Sequence, residues 1–516
     1  MPKKLFSKNF FIILFLMIIG LLMRTYYLHQ NNILFGYDQA RDAYIASEIA
    51  QGDLKILGPP VSIGGFYHGV FYYYFIALPY YLSHGNPILP IIFISILNIS
   101  VLPLVYLTGK ILFNDKVGLL SALFYTISFD VIQYSNWLSN PSLAVPFSVI
   151  LHFGLSLYFF TQSKNLGLVL SAIGYSFCFQ SEFFLGYLII PIIFLVLVSK
   201  NKINPKQIFI FVFISLIILS SMIISYFKFG FTFIEGIKNM FEGTTKFSSQ
   251  DVDFFITLKL FFVRLVENFY RNIFPFKSFF AFIFTLSSFL FSIKQKVKKN
   301  QLLFLWTFPI SQILILPFGG NNIPYINVGL QLPIIIISSY FLINFFKGNK
   351  ILFSTIVIIL VLSSLITDIK YNPKTQILND IPSSLNLKNQ LNILDYTYQQ
   401  SKGGSFSINT ITTPFWINTL WSYLYQWYGQ NNYGYQPSFH GRDQSGHLSY
   451  LKSPIIEPEN FFLIIEPHTR TYPTLITDAI AYEDSFSKVV EEKDFNGIIV
   501  QKRKLTKPFN QIEFVR

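Results

Sequence analysis

The sequence predicts an all-α polytopic membrane bundle of about eleven transmembrane helices, with interfacial juxtamembrane helices and a small extracytoplasmic α/β domain at its C-terminal end. Three observations predict it. Of 516 residues, 52% are hydrophobic and only 13% charged, about half the charge of an average soluble domain. Apolar runs recur at the roughly 20-residue length that crosses a bilayer. Beyond Lys370 the composition turns polar and Asn/Gln-rich, with short β-like runs.

The lysines set the direction of each span. They cluster in connectors between apolar runs (Lys3, Lys4 and Lys8; Lys110 and Lys116; Lys200, Lys202 and Lys206; Lys294, Lys296, Lys298 and Lys299; Lys347 and Lys350), as cytoplasmic loops do. The net charge of +13 is therefore topology rather than a nucleic-acid footprint, and no nucleic-acid partner is expected. Phe10 to Leu28 is long, lacks a small-residue cleavage pattern and reads as a retained anchor rather than a signal peptide. Cys178 is the only cysteine, so no intrachain disulfide forms.

With the basic N-terminus inside, the first span exits at about Leu28, and residues 29–87 form the first external loop. Successive spans follow at Ile88 to Gly109, Val117 to Tyr134, Leu143 to Phe160, Leu166 to Phe179, Phe183 to Val198 and Gln207 to Phe227. A second external loop, 228–278, precedes spans at Phe279 to Ile293, Leu302 to Phe318, Tyr325 to Phe346 and Ile351 to Thr367. The odd count leaves the C-terminus outside a multi-pass plasma-membrane protein. Residues 1–369 make the bundle and 370–516 the external domain. Phe66 to Leu82, dense in tyrosine and containing Pro79, would invert every later loop if it crossed; it reads as an interfacial helix. Asp253 to Phe276, where Lys259, Arg264, Glu267 and Arg271 interrupt an aromatic face, reads as a second surface-lying amphipathic helix. In the external domain, strands are expected at Phe406 to Ile411, Phe461 to Ile465, Gly497 to Val500 and Gln511 to Val515.

Ionisable residues retained near a membrane face are candidates for function. The first external loop is the densest: Tyr37-Asp38-Gln39-Ala40-Arg41-Asp42-Ala43. A helix there places Asp38 and Asp42 on one face with the alanines packing down. The bland alternative makes Asp38 an N-cap and Arg41–Asp42 a solvated pair. Gln180 and Glu182 occupy another external turn, either as site residues or as a solvated turn. Asn321, Asn322, Tyr325, Asn327 and Gln331 at the outer end of the penultimate spans suit helix-to-helix hydrogen bonding. The aromatics Trp416, Trp421, Tyr423, Trp427 and Tyr428 are either a sugar-stacking surface or a small domain's core. No Walker-type glycine loop and no His/Cys set with metal-ligand spacing occurs.

Arg24 and the TYYL after it, YDQARDAYIASEIAQGD (37–53), FYHG (66–69) and GKILFNDKVGLLSALFYTIS (109–128) together resemble the GT-C membrane glycosyltransferases. The similarity is to the branch of protein O-mannosyltransferases, aminoarabinose transferases and rhizobial galacturonosyltransferases, and it covers residues 10–200 best. It implies transfer of a sugar from a polyprenyl-phosphate donor to a glycan, lipid or protein acceptor at the outer face. The family's catalytic acid falls on Asp38, as general base. Many relatives have Asp-Glu where this chain has Asp38-Gln39, so a second acid is absent or moved to Asp42. An aspartate of the aminoarabinose transferases falls on Asn140, and a phosphate-contacting position falls near His68-Gly69. Arg41, Asp42, His68, Asn140, Gln180 and Glu182 are the substrate-binding candidates. The superfamily includes metal-dependent members, but nothing in this sequence supports a metal or other cofactor. A transporter or flippase of lipid-linked glycans is the rival; it would carry ionisable or helix-breaking residues at mid-bilayer in paired halves, whereas the polar groups here gather at one face.

Overall fold

A computed structural model describes residues 8–61, 65–199, 204–230, 234, 254–275, 278–316, 327–372, 386–442, 451–467 and 472–514. The helices of the bundle are α1 (Lys8–Thr25), α2 (Tyr37–Ala50), α3 (Phe71–Leu82), α4 (Ile88–Ser100), α5 (Leu102–Leu112), α6 (Asp115–Ile127), α7 (Phe129–Ser135), α8 (Pro141–Phe160) and α9 (Lys164–Ser181). They continue with α10 (Ile189–Val198), α11 (Pro205–Ile218), α12 (Ser220–Lys228), α13 (Phe254–Ile273), α14 (Ser278–Lys294), α15 (Lys299–Ser311), α16 (Gln331–Phe345) and α17 (Lys350–Tyr371).

Among the described residues, four stretches are long and apolar enough to cross a membrane unaided: Lys8–Gln30, Ile88–Leu112, Pro141–Phe160 and Lys350–Tyr371. Three bent pairs raise that to as many as seven, against the expected eleven or so. The difference lies in helix length. Phe183–Val198 and Gln331–Phe345 are apolar but short, and about half of the expected second external loop (231–233, 235–253 and 276–277) lies outside the described residues, as do Asn321, Asn322 and Tyr325.

The α6–α7 pair bends by 53° at Ser128. That residue is extended, and its hydroxyl accepts from the Val131 amide at 3.3 Å, capping the new helix. The break leaves the Thr126 carbonyl without a helical partner. Buried Arg24 of α1 donates to it at 3.2 Å while bonding Asn98 of α4 at 3.2 Å and the Gly20 carbonyl at 2.8 Å. The sequence thus spends a buried cation on holding three helices where one of them kinks.

The expected tyrosine-rich interfacial helix begins at Phe71 rather than Phe66. Upstream of it the chain is extended, with Pro60 bridged to Tyr67, and the Gly69 amide donates to the Gln180 carbonyl at 2.7 Å. A Cβ on Gly69 would lie 2.4 Å from the Gln180 side chain, so glycine is what lets this segment lie against α9. Tyr72, Tyr73 and Tyr80 turn inward while Tyr74 and Tyr81 stay exposed. Helix α13 is amphipathic as expected, but its second half (Phe261, Leu265, Asn268, Phe269, Asn272) is buried in the bundle.

The C-terminal domain comprises α18 (Leu387–Ser401), β1 (Phe406–Ile411), α19 (Thr419–Leu424), a π-helical turn at Tyr425–Gly429, α20 (Gln430–Tyr433), β2 (Ser438–Phe439), β3 (Asn460–Ile465), α21 (Pro473–Asp484), β4 (Ser487–Phe495) and β5 (Ile498–Leu505). Its sheet runs β2-β1-β3-β5-β4. β1 is parallel to β2 and β3, and β5 is antiparallel to β3 and β4. The expected strand at 511–515 is instead a 3-10 turn, Phe509–Gln511. Strand β4, unexpected, is an edge strand carrying Lys488, Glu491, Glu492 and Lys493; charge protects such an edge from further pairing.

This domain is fastened to the first loop. Leu387 and Lys388 amides donate to the Ile33 and Asn31 carbonyls, both at 2.9 Å. Gln390 donates to the Phe35 carbonyl at 2.7 Å, and the Tyr423 hydroxyl donates to the Gly85 carbonyl at 2.6 Å. One continuous apolar core runs from Ile13 of α1 through the bundle to Val500 of β5.

Candidate active site

Helix α2 carries the site. Ala40, Ala43 and Ala46 are fully buried, so a smooth small-residue face seats the helix and its polar positions turn upward. Its N-cap is Gly36, not Asp38. Gln39 performs the capping: its Oε1 accepts from the Gly36 amide at 3.0 Å, and its Nε2 donates to the Leu138 carbonyl at 3.1 Å. A glutamate makes the first bond but not the second, since a carboxylate has no proton to donate. The glutamine that distinguishes this chain from the Asp-Glu pattern therefore ties α2 to the α7–α8 turn.

Asp38, freed from capping, lies in the first helical turn, where the helix dipole favours negative charge. Its side chain is 64% exposed. Arg41 reaches back to it with Nη1 at 2.8 Å and holds Asp42 Oδ1 with Nη2 at 2.7 Å and Nε at 2.9 Å. Asp42 is buried, 2% exposed, which overturns the solvated-pair alternative. Burial pushes its carboxyl up to about 6 against the pull of Arg41, and Tyr73 of α3 hydrogen-bonds the same group. Two carboxylates share one guanidinium: one locked inside, one presented outward.

His68 is buried beside them. Its Nδ1 accepts from the Phe183 amide at 3.1 Å, so the proton resides on Nε2. Burial, and then the charge of Arg41, lower its pKa to about 3, so it meets a ligand as a neutral donor. Gln180 is occupied structurally: its Oε1 accepts from the Phe71 amide at 3.2 Å and its amide donates to the Ile218 carbonyl. Asn140 donates to the Ser181 carbonyl at 2.6 Å. Glu182 is fully buried, not a solvated turn. Its Oε1 caps the Phe183–Leu188 turn through the Phe184 amide at 3.3 Å, and its Oε2 has no hydrogen-bond partner.

The structure thus gathers Asp38, Asp42 and His68 around Arg41, together with Tyr73, which sequence reasoning missed. The bonds of His68 and Gly69 join this cluster to Gln180 and to the turn after Glu182. A second polar cluster was also missed. At the start of α7, Asp130 pairs with Arg271 of α13 at 3.1 Å and accepts from Gln331 of α16 at 2.9 Å. Nearby, Ser128 donates to Asn272 at 2.7 Å, Asn268 donates to Gln312 at 3.3 Å and Gln312 bonds Asn327. The available signal was a single acid in an apolar run, Asp130, and the charged residues, Arg271 among them, that interrupt the aromatic face of Asp253 to Phe276. Among the described residues no three His, Cys, Asp or Glu side chains come together as a metal site.

Residues 67–224 match the family model described as dolichyl-phosphate-mannose-protein mannosyltransferase, a segment that includes His68, Asn140, Gln180 and Glu182 and begins after Asp38. Among solved structures, ArnT from Cupriavidus metallidurans bound to undecaprenyl phosphate superposes with a TM-score of 0.58 over 96% of this chain and 98% of that one, at 9% identity. The likeness to ArnT runs over nearly the whole length of both chains and takes in the bundle and the C-terminal domain alike. The apo form of ArnT gives 0.55 over the same shares. The oligosaccharyltransferase of Archaeoglobus fulgidus matches at 0.44 with 14% identity, over 81% of this chain and 64% of that one. No curated protein sequence matches. The family model covers under a third of the chain and the likeness to ArnT is one of fold; the apolar helices are those of a multi-pass membrane protein.

Proposed function

We propose that this chain transfers a sugar from a polyprenyl-phosphate donor to an acceptor hydroxyl at the outer membrane face, inverting the anomeric centre, with Asp38 as general base. In this reading residues 1–369 are the transferase bundle, residues 370–516 the external domain, and the N-terminus cytoplasmic. The observation that carries it is the outward carboxylate of Asp38, held by an arginine that a buried Asp42 fixes in place, on the first-loop helix of a GT-C fold.

The chemistry follows from the placement. The carrier's tail stays in lipid while its phosphosugar head reaches water, so the reaction belongs at the hydrocarbon boundary. The acceptor oxygen attacks the anomeric carbon, the bond from that carbon to the phosphate oxygen breaks, and the carrier phosphate leaves with the electron pair. Asp38 receives the acceptor's proton as the new bond forms. Arg41 keeps the Asp38 carboxylate aimed, and the Nε2–H of His68 is a donor for a developing negative charge. Of the neighbouring turns, Glu182 offers an oxygen for a hydroxyl, since its Oε2 has no hydrogen-bond partner, whereas the Gln180 and Asn140 amides are engaged by backbone carbonyls.

Mass spectrometry of lipid-linked sugars and glycoconjugates tests this in cells lacking the chain, complemented with wild type or Asp38→Asn. The null and Asp38→Asn cells are expected to accumulate one lipid-linked sugar and to lose that sugar from a glycoconjugate. Full restoration by Asp38→Asn removes the base assignment, and an unchanged profile in the null removes the transferase reading. A cysteine replacing exposed Asn392, labelled in intact cells by an impermeant reagent, tests the orientation; labelling only after lysis reverses it.

A further inference from the structure

We infer that the C-terminal domain holds a neutral saccharide chain as the acceptor, along an aromatic ladder that starts against α2 and ends on the exposed ring of Tyr433; this rests on the transferase reading and names its acceptor class. The ladder begins where Tyr423 meets Tyr44 of α2 edge-on, with ring centroids 5.1 Å apart at 88°. Tyr423 lies roughly parallel to Trp427, 6.3 Å and 29°, and Trp427 meets Tyr428 at 6.0 Å. A Cβ on Gly85 would lie 2.9 Å from the Trp427 ring, so Trp427 is seated at the seam between domain and bundle.

The far end is built differently from a core. Trp421, Tyr423 and Tyr425 are buried, but Tyr433 is 36% exposed. One face of its ring lies flat on Tyr398, 4.0 Å away at 4°, which turns the other face outward. Its hydroxyl donates to Asp395 Oδ1 at 2.7 Å, and that of Tyr428 donates to Oδ2 at 3.4 Å. Exposed Gln430, Asn431 and Asn432 stand beside them. A pyranose ring has an apolar C–H face and a rim of hydroxyls. A rigid aromatic face bordered by a carboxylate and amides matches both.

Charge decides the ligand class. From Gly403 to Gly441 there is no Asp, Glu, Lys or Arg, which disfavours a phospholipid headgroup or a charged peptide and suits an uncharged glycan. The ladder's geometry also gives direction. Helix α19 packs on α2, the helix that carries Asp38, so a chain lying on Tyr433, Tyr428 and Trp427 runs toward the seam between the domain and that helix.

The test uses the full-length chain in nanodiscs, titrated with mannohexaose, maltohexaose and chitohexaose while tryptophan fluorescence is read, with a microarray of neutral glycans alongside. Saturable binding of at least one glycan is expected. It should weaken about tenfold in Tyr433→Ala, a change of about 1.4 kcal/mol, stay within about threefold in Tyr433→Phe, and persist unchanged in Asp38→Asn. In a transfer assay Tyr433→Ala raises the acceptor KM and leaves kcat alone. Absence of glycan binding by the folded chain, or equal binding by wild type and Tyr433→Ala, overturns the inference. So does binding of peptide or lipid in place of glycan at these residues. Loss of the transferase reading alone would show instead as an unchanged lipid-linked-sugar and glycoconjugate profile in the null cells, with the binding data intact.

Discussion

Two arginine–carboxylate clusters in this molecule look alike on paper and differ in what surrounds them. Arg41 holds Asp42 inside and Asp38 outside, leaving Asp38 64% exposed. Arg271 holds Asp130 with both side chains under about a tenth exposed, and Gln331 supplies the remaining bond. The second cluster joins three helices where α6 and α7 part, and its acid has no open approach. The first leaves one carboxylate over. An ion pair sealed inside the bundle is architecture; one with an outward carboxylate is a place where a substrate's proton or hydroxyl can be met.

The largest test of that contrast is Asp38→Asn. It is expected to lower transfer by about 10²–10⁴-fold, the range for loss of a general base, with thermal unfolding in detergent unmoved; a large fall in Tm would move Asp38 into the architectural class. Asp130→Asn is expected to do the reverse. Removing one partner of a buried pair costs about 3–5 kcal/mol, read as a lowered Tm and poorer expression, with the surviving folded fraction still active. Selective loss of activity in a stable Asp130→Asn protein would join the two clusters in one site.

Gln39→Glu sharpens the comparison at smaller cost. It keeps the cap on Gly36 but sets a carboxylate against the Leu138 carbonyl, costing about 1–3 kcal/mol and loosening α2 from the α7–α8 turn; unchanged stability would show that this bond carries no weight. The smallest effect is in pH. The Asp42 carboxyl is raised by burial to about 6, and that of Glu466, held by Trp421 and Thr413 in the external domain, to about 7. The native chain therefore binds these protons more tightly than the unfolded chain, so stability rises as pH falls from above 7 toward the ordinary carboxylate range. Tm against pH should show that slope, flattened in Asp42→Asn and Glu466→Gln, while activity declines below about pH 6 as Asp42 protonates and Arg41 loses its anchor. A Tm that falls on mild acidification would contradict both assignments.

How much of this was legible in the sequence depended on range. Local pattern was enough for α2: alanines at helical spacing, acids on one face, and the ordering of Asp38, Arg41 and Asp42. It was also enough for β1, whose six residues match the expected run. It failed where burial is decided by distant chain. Asp42, Gln180 and Glu182 were placed at the right turns, but nothing local says that α3, α9 and α11 cover them. Asp130 passes unnoticed in its apolar run and Arg271 reads as part of a surface-lying amphipathic face, because nothing local says that α13 folds against α7. β4 was hidden because an edge strand uses charge where inner strands use alternation, and the span count suffered because α10 and α16 are short for a bilayer.

The fastening of residues 31–35 to 386–390 bears on biogenesis. Synthesis proceeds from the N-terminus at about 5–20 residues per second, so the loop bearing Asp38 waits for the whole bundle to be made before residues 386–390 exist to clasp it. A message truncated before them yields an inserted bundle whose loop has never been clasped, and competence arrives late.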